Sequence, residues 1–262
     1  MIGDGMGLTQ ITAGMYANGN RLNLEEFKVI GLHKSYSSDN LITDSAAGAT
    51  AFACGKKTYN GAIGVGPKGQ PLPTILEEAK ADGMATGLVV TSSIVHATPA
   101  SFYAHQLSRQ EKEKIAADLT AASVDFFVGG GKKYFDRRES DDRNLVAGLK
   151  EKGYIISDFF EKDFSRVHIL PNKKFGYFTA DDEPLPAMQG RDYFVPACEA
   201  AIDFLNQQPR KGFFLMCEGS QIDWGGHANN SDYIISEMIE FDRAVGKALE
   251  FAKKDGRTLL IV

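Results

Sequence analysis

The sequence of 262 residues predicts an α/β fold with a mainly parallel central sheet and helices on both of its faces. Segments with helical spacing alternate along the chain with short apolar or β-branched runs. Strands that are apolar throughout and separated by helices are typical of a parallel sheet that is buried on both faces. Such a sheet places its functional site at the carboxyl ends of its strands.

The predicted elements follow in alternating order. Helical spacing over residues 73–82 ends at Gly83, and the β-branched run 86–92 follows as a buried strand. The further predicted helices are 110–122, 141–152, 191–208 and 230–255, and the further predicted strands are 124–128, 154–157, 212–219 and 258–262. We expect one domain over residues 1–262, with an irregular insertion around 163–189 that is rich in Pro, Lys and Asp.

Composition limits the classes of function. Hydrophobic residues make up 43% and charged residues 24%, as in ordinary soluble globular proteins. The net charge is −5 and the basic residues form no dense stripe, so nothing indicates nucleic-acid binding. No stretch is long and apolar enough to predict a membrane span. The three cysteines are too widely spaced to indicate a disulfide framework or a CxxC metal site.

Both ends of the sequence look cut inside strands. The chain opens on "MIGDGMG" with no signal peptide before it, and it stops on "RTLLIV". We therefore expect a piece of a longer protein, whose sheet is incomplete at the C-terminal side.

An acid and a hydroxyl precede a run of small residues in "ITDSAAGATAFACG", residues 42–55. The pattern predicts a helix that begins at Asp44-Ser45, and Ser45 has two interpretations. It is either a simple N-cap on a closely packed helix, or a nucleophile that benefits from free N–H groups and the positive end of the helix dipole.

Further polar residues lie where strands are predicted to end. Asp4 stands between glycines, and is either part of a tight turn or a metal ligand. In "EGSQIDWGGH", Asp223 and His227 are four residues apart, so that a helical turn would place both on one face. Together with Glu218 they suit zinc. The alternative is a solvated loop with a hydrogen-bonded histidine.

Taken together, these positions predict a metal-activated nucleophile. The residues that follow predicted strands and should meet at one sheet edge are Asp4, Ser45, Thr98, Glu218, Asp223 and His227. A cation beside the Ser45 hydroxyl would favour its alkoxide, as a cation does for bound water. Arg109 would hold an oxyanion through two parallel hydrogen bonds, unless it is an ordinary surface residue.

The chain resembles the alkaline phosphatases. The motifs that carry the resemblance are, in order, "MIGDGMG", "TDSAAGATA", "KTYNGAIGV", "HATPASFYAH" with "SR", "VGGGKKYF" and "EGSQIDWGGH". They extend over nearly the whole chain. The resemblance implies that Ser45 is the nucleophile that becomes phosphoserine. It also implies that Arg109 clamps the substrate phosphate and that Asp44 supports both residues.

The resemblance also implies three metal sites, two for Zn²⁺ and a third for Mg²⁺. Asp4 would bridge the second zinc and the third site, Thr98 and Glu218 would complete the protein ligands of the third site, and the first zinc would have Asp223 and His227. The family's remaining zinc ligands would follow Val262, so each zinc site lacks at least one ligand here, whereas the third site could be whole.

Two positions depart from the best-known bacterial form. His96 stands where that form has an Asp lining the third site, and Trp224 stands where it has a Lys near the phosphate. Because a histidine can bind a metal directly, the third site is expected to prefer Zn²⁺ or Co²⁺ to Mg²⁺.

The motifs argue against several rival functions. Sulfatases need a C/S-x-P-x-R motif, which is absent, and metal-dependent phosphoglycerate mutases and phosphodiesterases lack the Asp-Ser-Ala-Ala element. A non-catalytic fragment that binds phosphate or one metal remains the alternative from another class. The resemblance further implies small phosphate monoesters as substrates, a homodimer, and a periplasmic or extracellular location.

Overall fold

The computed structural model describes residues 1–208 and 210–262. Its centre is a six-stranded sheet in which every pairing is parallel and the order is β1-β6-β2-β3-β5-β4. The strands are β1 (Ile2–Gly3), β2 (Ala85–Ser93), β3 (Phe126–Gly130), β4 (Ile155–Asp158), β5 (Phe175–Phe178) and β6 (Phe213–Gly219). This arrangement confirms the predicted fold class.

The helices connect these strands. They are α1 (Leu8–Ala17), α2 (Ser45–Cys54), α3 (Ile75–Ala81), α4 (Ala97–Ala100), α5 (Lys112–Ala122), α6 (Lys133–Asp136), α7 (Leu145–Glu151), α8 (Phe194–Asn206), α9 (Gln221–His227) and α10 (Ser231–Asp255). Side-chain caps fix several of the helix starts, among them those of α3 and α7. Thr74 and Glu77 form a capping box at α3, and Asn144 caps α7, which is why α7 begins later than the predicted 141.

Apolar residues cover both faces of the sheet, as predicted. Successive residues of β2 point to opposite sides: Leu88 and Val90 belong to one buried cluster, and Val89 belongs to the other. The first cluster is covered by α2, α3, α4, α5 and α7, and the second by α8 and α10. The sheet is therefore a central layer between two layers of helices.

The structure changes the description of residues 163–189. This segment contains β5, which pairs with β3 on one side and β4 on the other and is fully buried. It is therefore partly an integral strand of the sheet rather than an insertion throughout. The prediction missed β5 because a four-residue strand with no α-helix between it and β4 departs from the alternating pattern.

The prediction of a strand over residues 258–262 was wrong. This segment follows α10 as irregular chain, and its Ile261 carbonyl accepts a hydrogen bond from the Met1 ammonium at 2.5 Å. An apolar run becomes a strand only when a neighbour completes a ladder of backbone hydrogen bonds, and no such ladder forms here among the described residues. No helix in the described part of the chain is long and apolar enough to cross a bilayer.

The strand order positions the polar residues. β6 lies between β1 and β2, and Glu218 near its end aligns with Ile2 on one side and Val90 on the other. The carboxyl ends of these three strands are therefore adjacent, and they deliver Asp4, His96 and the start of α9 to one edge of the sheet.

Candidate active site

The Ser45 hydroxyl lies at the N-terminus of α2 and donates a hydrogen bond to Asp4 Oδ2 at 2.8 Å. The small residues of α2 let it lie against α4: Ala46, Ala49 and Ala53 are buried, and Ser101 donates to the Ala46 carbonyl at 3.4 Å. Small side chains thus serve helix packing, while the first residue of the helix faces the sheet edge.

Asp44 organises three groups around the start of α2. Its Oδ1 accepts the Ala47 N–H at 2.9 Å and so caps the helix. Its Oδ2 accepts the Gly61 N–H and Arg109 Nη1, each at 3.0 Å. Asn60 adds a fourth link, because its Oδ1 accepts the Asp44 N–H at 3.0 Å. The N-cap and the anchor of Arg109 are therefore one carboxylate.

Arg109 lies next to His96, and His96 contacts Trp224; these two residues are the ones that depart from the best-known bacterial form. Arg109 Nη2 lies 3.4 Å from His96 Nε2, and the His96 ring meets the Trp224 ring edge-on with centroids 5.7 Å apart. Burial, reinforced by the charges of Arg109 and Lys112, lowers the pKa of His96 to about 3. His96 is therefore a neutral imidazole, the form that binds a metal or accepts a hydrogen bond.

Three carboxylates share the edge of the sheet. Burial and the nearby charge of Asp223 raise the pKa of Asp4 to about 6. Burial and the charge of Asp4 raise the pKa of Glu218 to about 8. Gly5 makes this closeness possible, since it has φ +64° and a Cβ there would lie 2.7 Å from the Asp223 Cα and Oδ1 atoms. The repulsion among these groups calls for a compensating positive charge.

Buried polar atoms without hydrogen-bond partners also indicate a place for a cation. Glu218 Oε1 and His96 Nδ1 are buried and have no hydrogen-bond partner among the described residues. Glu218 Oε2 accepts the Ser220 hydroxyl at 2.6 Å, and the neighbouring hydroxyls of Ser220 and Thr98 oppose the rise in the Glu218 pKa. Carboxylate, hydroxyl and imidazole donors of this kind fit a divalent cation.

The predicted ligands nevertheless do not form a complete coordination shell. His227 Nε2 lies 3.3 Å from Asp223 Oδ2, one helical turn away as predicted, but 81% of the His227 side chain is exposed. In residues 1–208 and 210–262, no three His, Cys, Asp or Glu side chains form a cluster ready to hold a metal. The predicted metal ligands thus lie at one edge of the sheet, but among the described residues no more than two of their His, Asp or Glu side chains come together at any one point.

Several residues at this edge were not predicted. Ser220 donates its backbone N–H to Thr91 Oγ1 at 2.8 Å, and its hydroxyl oxygen lies 3.0 Å from Ser92 Oγ. Gln221 and Glu183 also contact this edge, at the Thr91 carbonyl and the Ser93 N–H. The run Thr91-Ser92-Ser93 at the end of a buried strand was a signal for these contacts, because hydroxyls there need partners.

The chain is similar to known proteins along its whole length. The family profile described as alkaline phosphatase matches residues 1–262. Alkaline phosphatase 4 of Bacillus subtilis (strain 168) is 42% identical over 283 residues, which cover 100% of this chain and 59% of that protein. The alkaline phosphatase of Escherichia coli (strain K12) is 35% identical over 320 residues, which cover 100% of this chain and 68% of that protein.

Solved structures give the same result. The alkaline phosphatase from the Antarctic bacterium TAB5 superposes with a TM-score of 0.92 and 48% identity, over 98% of this chain and 75% of that one. A mutant of that enzyme, with a histidine replaced by glutamate, has Mg bound in its M3 site. The chain therefore spans about three-fifths of the length of the Bacillus relative and three-quarters of the Antarctic enzyme.

Proposed function

Because this chain belongs to the alkaline phosphatase family, we propose that it carries the phosphoryl-transfer site of a phosphomonoesterase. The observation that carries this proposal is the Ser45 hydroxyl, which is hydrogen-bonded to Asp4 at the start of α2. Beside it lies an arginine that the N-cap residue of the same helix holds in place. A nucleophile, an orienting carboxylate and an oxyanion clamp are thus assembled at one helix terminus.

The chain's own residues support a two-step displacement. Asp4 orients the Ser45 hydroxyl and accepts its proton as Ser45 Oγ attacks phosphorus; the bond between phosphorus and the alcohol oxygen breaks, and the departing alcohol takes up a proton from water, which leaves phosphoserine. Water then attacks the same phosphorus, the bond between phosphorus and Ser45 Oγ breaks, and Ser45 Oγ regains its proton from Asp4 as inorganic phosphate is released. Arg109 binds two phosphate oxygens through parallel hydrogen bonds, and Asp44 keeps its guanidinium in place. The Trp224 ring, which packs against His96, forms the rim of the phosphate pocket.

The carboxylate edge supports metal binding. We assign Asp223 and His227 to a first Zn²⁺ site and Asp4 to a second. The third metal site is defined as Asp4, His96, Thr98 and Glu218, and would take Mg²⁺, or Zn²⁺ or Co²⁺ because of the histidine. When bound, such cations stabilise the charge on the attacking and leaving oxygens. The unpartnered Glu218 Oε1 atom and the raised carboxylate pKa values support this assignment.

An alternative function is supported by the incomplete ligand set. The exposed His227 side chain and the absence of a three-ligand cluster among the described residues favour a chain that binds phosphate or one metal without turnover.

Hydrolysis of p-nitrophenyl phosphate at alkaline pH, with Zn²⁺ and Mg²⁺ supplied, separates the two functions. The parent chain is compared with Ser45→Ala, and with Ser165→Ala as the matched control at an exposed serine. We expect turnover that disappears in Ser45→Ala and persists in Ser165→Ala. Phosphate binding without turnover by the folded parent would favour the alternative, and turnover that survives Ser45→Ala would exclude Ser45 as the nucleophile.

Three further properties follow from the family as proposals. The substrates are small phosphate monoesters of broad type, because no pocket for one particular alcohol is evident from the sequence. A homodimer and a periplasmic or extracellular location complete the proposed biology.

A further inference from the structure

Glu183 contacts the end of β2, although it is 90 residues away in sequence. Its Oε2 accepts the backbone N–H of Ser93, the last residue of β2, at 2.6 Å. The register between β2 and β3 shifts between Val89 and Ser93, so the ladder is irregular at this point. Glu183 therefore supplies the acceptor for a backbone group at a break in the sheet, and fixes the place where β2 ends.

The turn that begins at Ser93 carries residues of the candidate site. The Ser93 carbonyl accepts the His96 N–H at 2.9 Å, and Ile94 donates its N–H to the Gly130 carbonyl at 3.0 Å. His96 follows at once, and Thr98 lies in the first turn of α4. The position of both side chains thus depends on how Ser93 is held.

Pro184, which follows Glu183, accepts a hydrogen bond from the first residue of α9. Gln221, the first residue of α9, donates Nε2 to the Pro184 carbonyl at 3.0 Å and to the Thr91 carbonyl at 2.7 Å. The helix that begins there carries Asp223 and His227. Glu183 and Pro184 therefore contact both segments that carry site residues: the turn after β2 and the helix α9 after β6.

The charge of Glu183 has a partner. Lys112 Nζ lies 3.8 Å from Glu183 Oε1, and it donates a hydrogen bond to the Tyr134 hydroxyl at 3.1 Å. Burial raises the pKa of Glu183, and the Ser93 N–H and the Lys112 charge oppose that rise. In its ionised form the carboxylate therefore has a nearby cation and accepts a charge-assisted hydrogen bond from Ser93.

We propose that Glu183 is a positioning residue for the third metal site, which sets His96 and Thr98 through the Ser93 N–H and joins them to α9 through Pro184 and Gln221. This inference rests on the proposed function. Glu183 acts through the backbone of the β2–α4 turn and not as a ligand, so its effect depends on the hydrogen-bond acceptor that it offers.

The variants separate the hydrogen bond from other effects. Glu183→Ala removes the acceptor, whereas Glu183→Gln keeps a carbonyl oxygen that can accept the Ser93 N–H. Asp182→Asn is the matched control, because this neighbouring residue is half-exposed and its side chain contacts Lys112, Lys133 and Tyr134 but not the backbone of the turn, so that it also shows any effect that passes through Lys112 alone. If Glu183→Ala does not fold, Glu183→Leu keeps the side-chain volume and replaces it in the comparison.

Two measurements test the proposal on the metal-free chain. Hydrogen exchange of peptides over residues 91–98 should speed up in Glu183→Ala and stay near the parent rate in Glu183→Gln and Asp182→Asn. In Mg²⁺ titrations by calorimetry, loss of a group that orients metal ligands should raise the Kd of Glu183→Ala about tenfold or more. Glu183→Gln should recover most of that loss.

The proposal is overturned by any of three results: parent-like exchange and Mg²⁺ binding in Glu183→Ala, equal losses in Glu183→Ala and Glu183→Gln, or a parent chain that binds no Mg²⁺. Its failure is distinguishable from that of the proposed function. Phosphatase turnover that is absent while Mg²⁺ binding responds to Glu183 as expected contradicts only the function.

Discussion

Asp44 serves the stability of α2 and the position of Arg109 with different oxygens, so two substitutions should separate these roles. Oδ1 caps the helix at the Ala47 N–H, and Oδ2 holds the Gly61 N–H and Arg109. Asp44→Ser keeps a hydroxyl that can cap the helix but is too short to reach the other two groups. Asp44→Ala removes all of these contacts.

The magnitudes follow from the contacts. Loss of an N-cap costs about 1 kcal/mol, and loss of a charged acceptor for the Gly61 N–H costs about 1.5–3 kcal/mol. Solvent screens the ion pair with Arg109 in part, since about a quarter of each side chain is exposed. Both variants lose this pair, so it does not affect the difference between them. We therefore expect Asp44→Ala to lower the free energy of unfolding by about 2.5–4 kcal/mol, and Asp44→Ser by about 1 kcal/mol less.

The assay pairs unfolding with ligand binding. Urea denaturation gives the free energies, and thermal melting should place the Ser variant about 2–4 °C above the Ala variant for a chain of this size. Inorganic phosphate titrations should show equal losses of affinity in both variants, since both lose the contact that holds Arg109.

Two results would refute this reasoning. Equal stability of the Ser and Ala variants would mean that Asp44 does not act as a cap. Phosphate affinity that survives in Asp44→Ser but not in Asp44→Ala would mean that Arg109 is positioned by the helix terminus and not by the carboxylate.

Two further predictions concern the carboxylate edge. In the metal-free folded chain, the pKa of Glu218 is raised from 4.5 to about 8. Between pH 4.5 and about pH 8, Glu218 is therefore protonated in the folded state and ionised in the unfolded state. The free energy of unfolding should therefore fall as pH rises from about 4.5 to about 8, and Glu218→Gln should flatten this dependence in urea titrations at several pH values; an unchanged slope would contradict the raised pKa. At the third metal site, His96→Asp replaces a neutral ring by a hard, charged oxygen ligand, and should shift preference from Zn²⁺ or Co²⁺ toward Mg²⁺ in competitive titrations. Unaltered metal dependence would show that His96 does not set it.

Residues next to strong local signals were predictable from the sequence. Asp44-Ser45 stands before a run of small residues, and this pattern indicated a helix start at the observed place. The four-residue spacing of Asp223 and His227 indicated their contact in α9. Both signals work because helix geometry relates neighbours in sequence to neighbours in space.

Elements that depend on distant partners were not predictable in the same way. The run 258–262 is as apolar as a strand but lacks a ladder of backbone partners in the described chain, whereas the short β5 gains buried strands on both sides. Glu183 gave no sequence signal, because its partner Ser93 is defined by a register shift between β2 and β3. Strand pairing is a property of the assembled sheet, not of the segment.

By itself, the sequence determined the α/β class, the parallel sheet between two helical layers, and the polar residues gathered where strands end, since periodicity and caps are local properties of a chain. Only the tertiary structure decided which of these residues meet. Ser45 contacts Asp4 across 41 positions, and Asp44 holds Arg109 across 65. The order β1-β6-β2 brings the ends of these three strands together and with them Asp4, whereas Asp44 and Ser45 follow irregular chain and not a strand as predicted. Burial at that edge then raises the carboxylate pKa values and leaves His96 neutral. Desolvation depends on every element packed around a group, and no single segment of sequence contains that information.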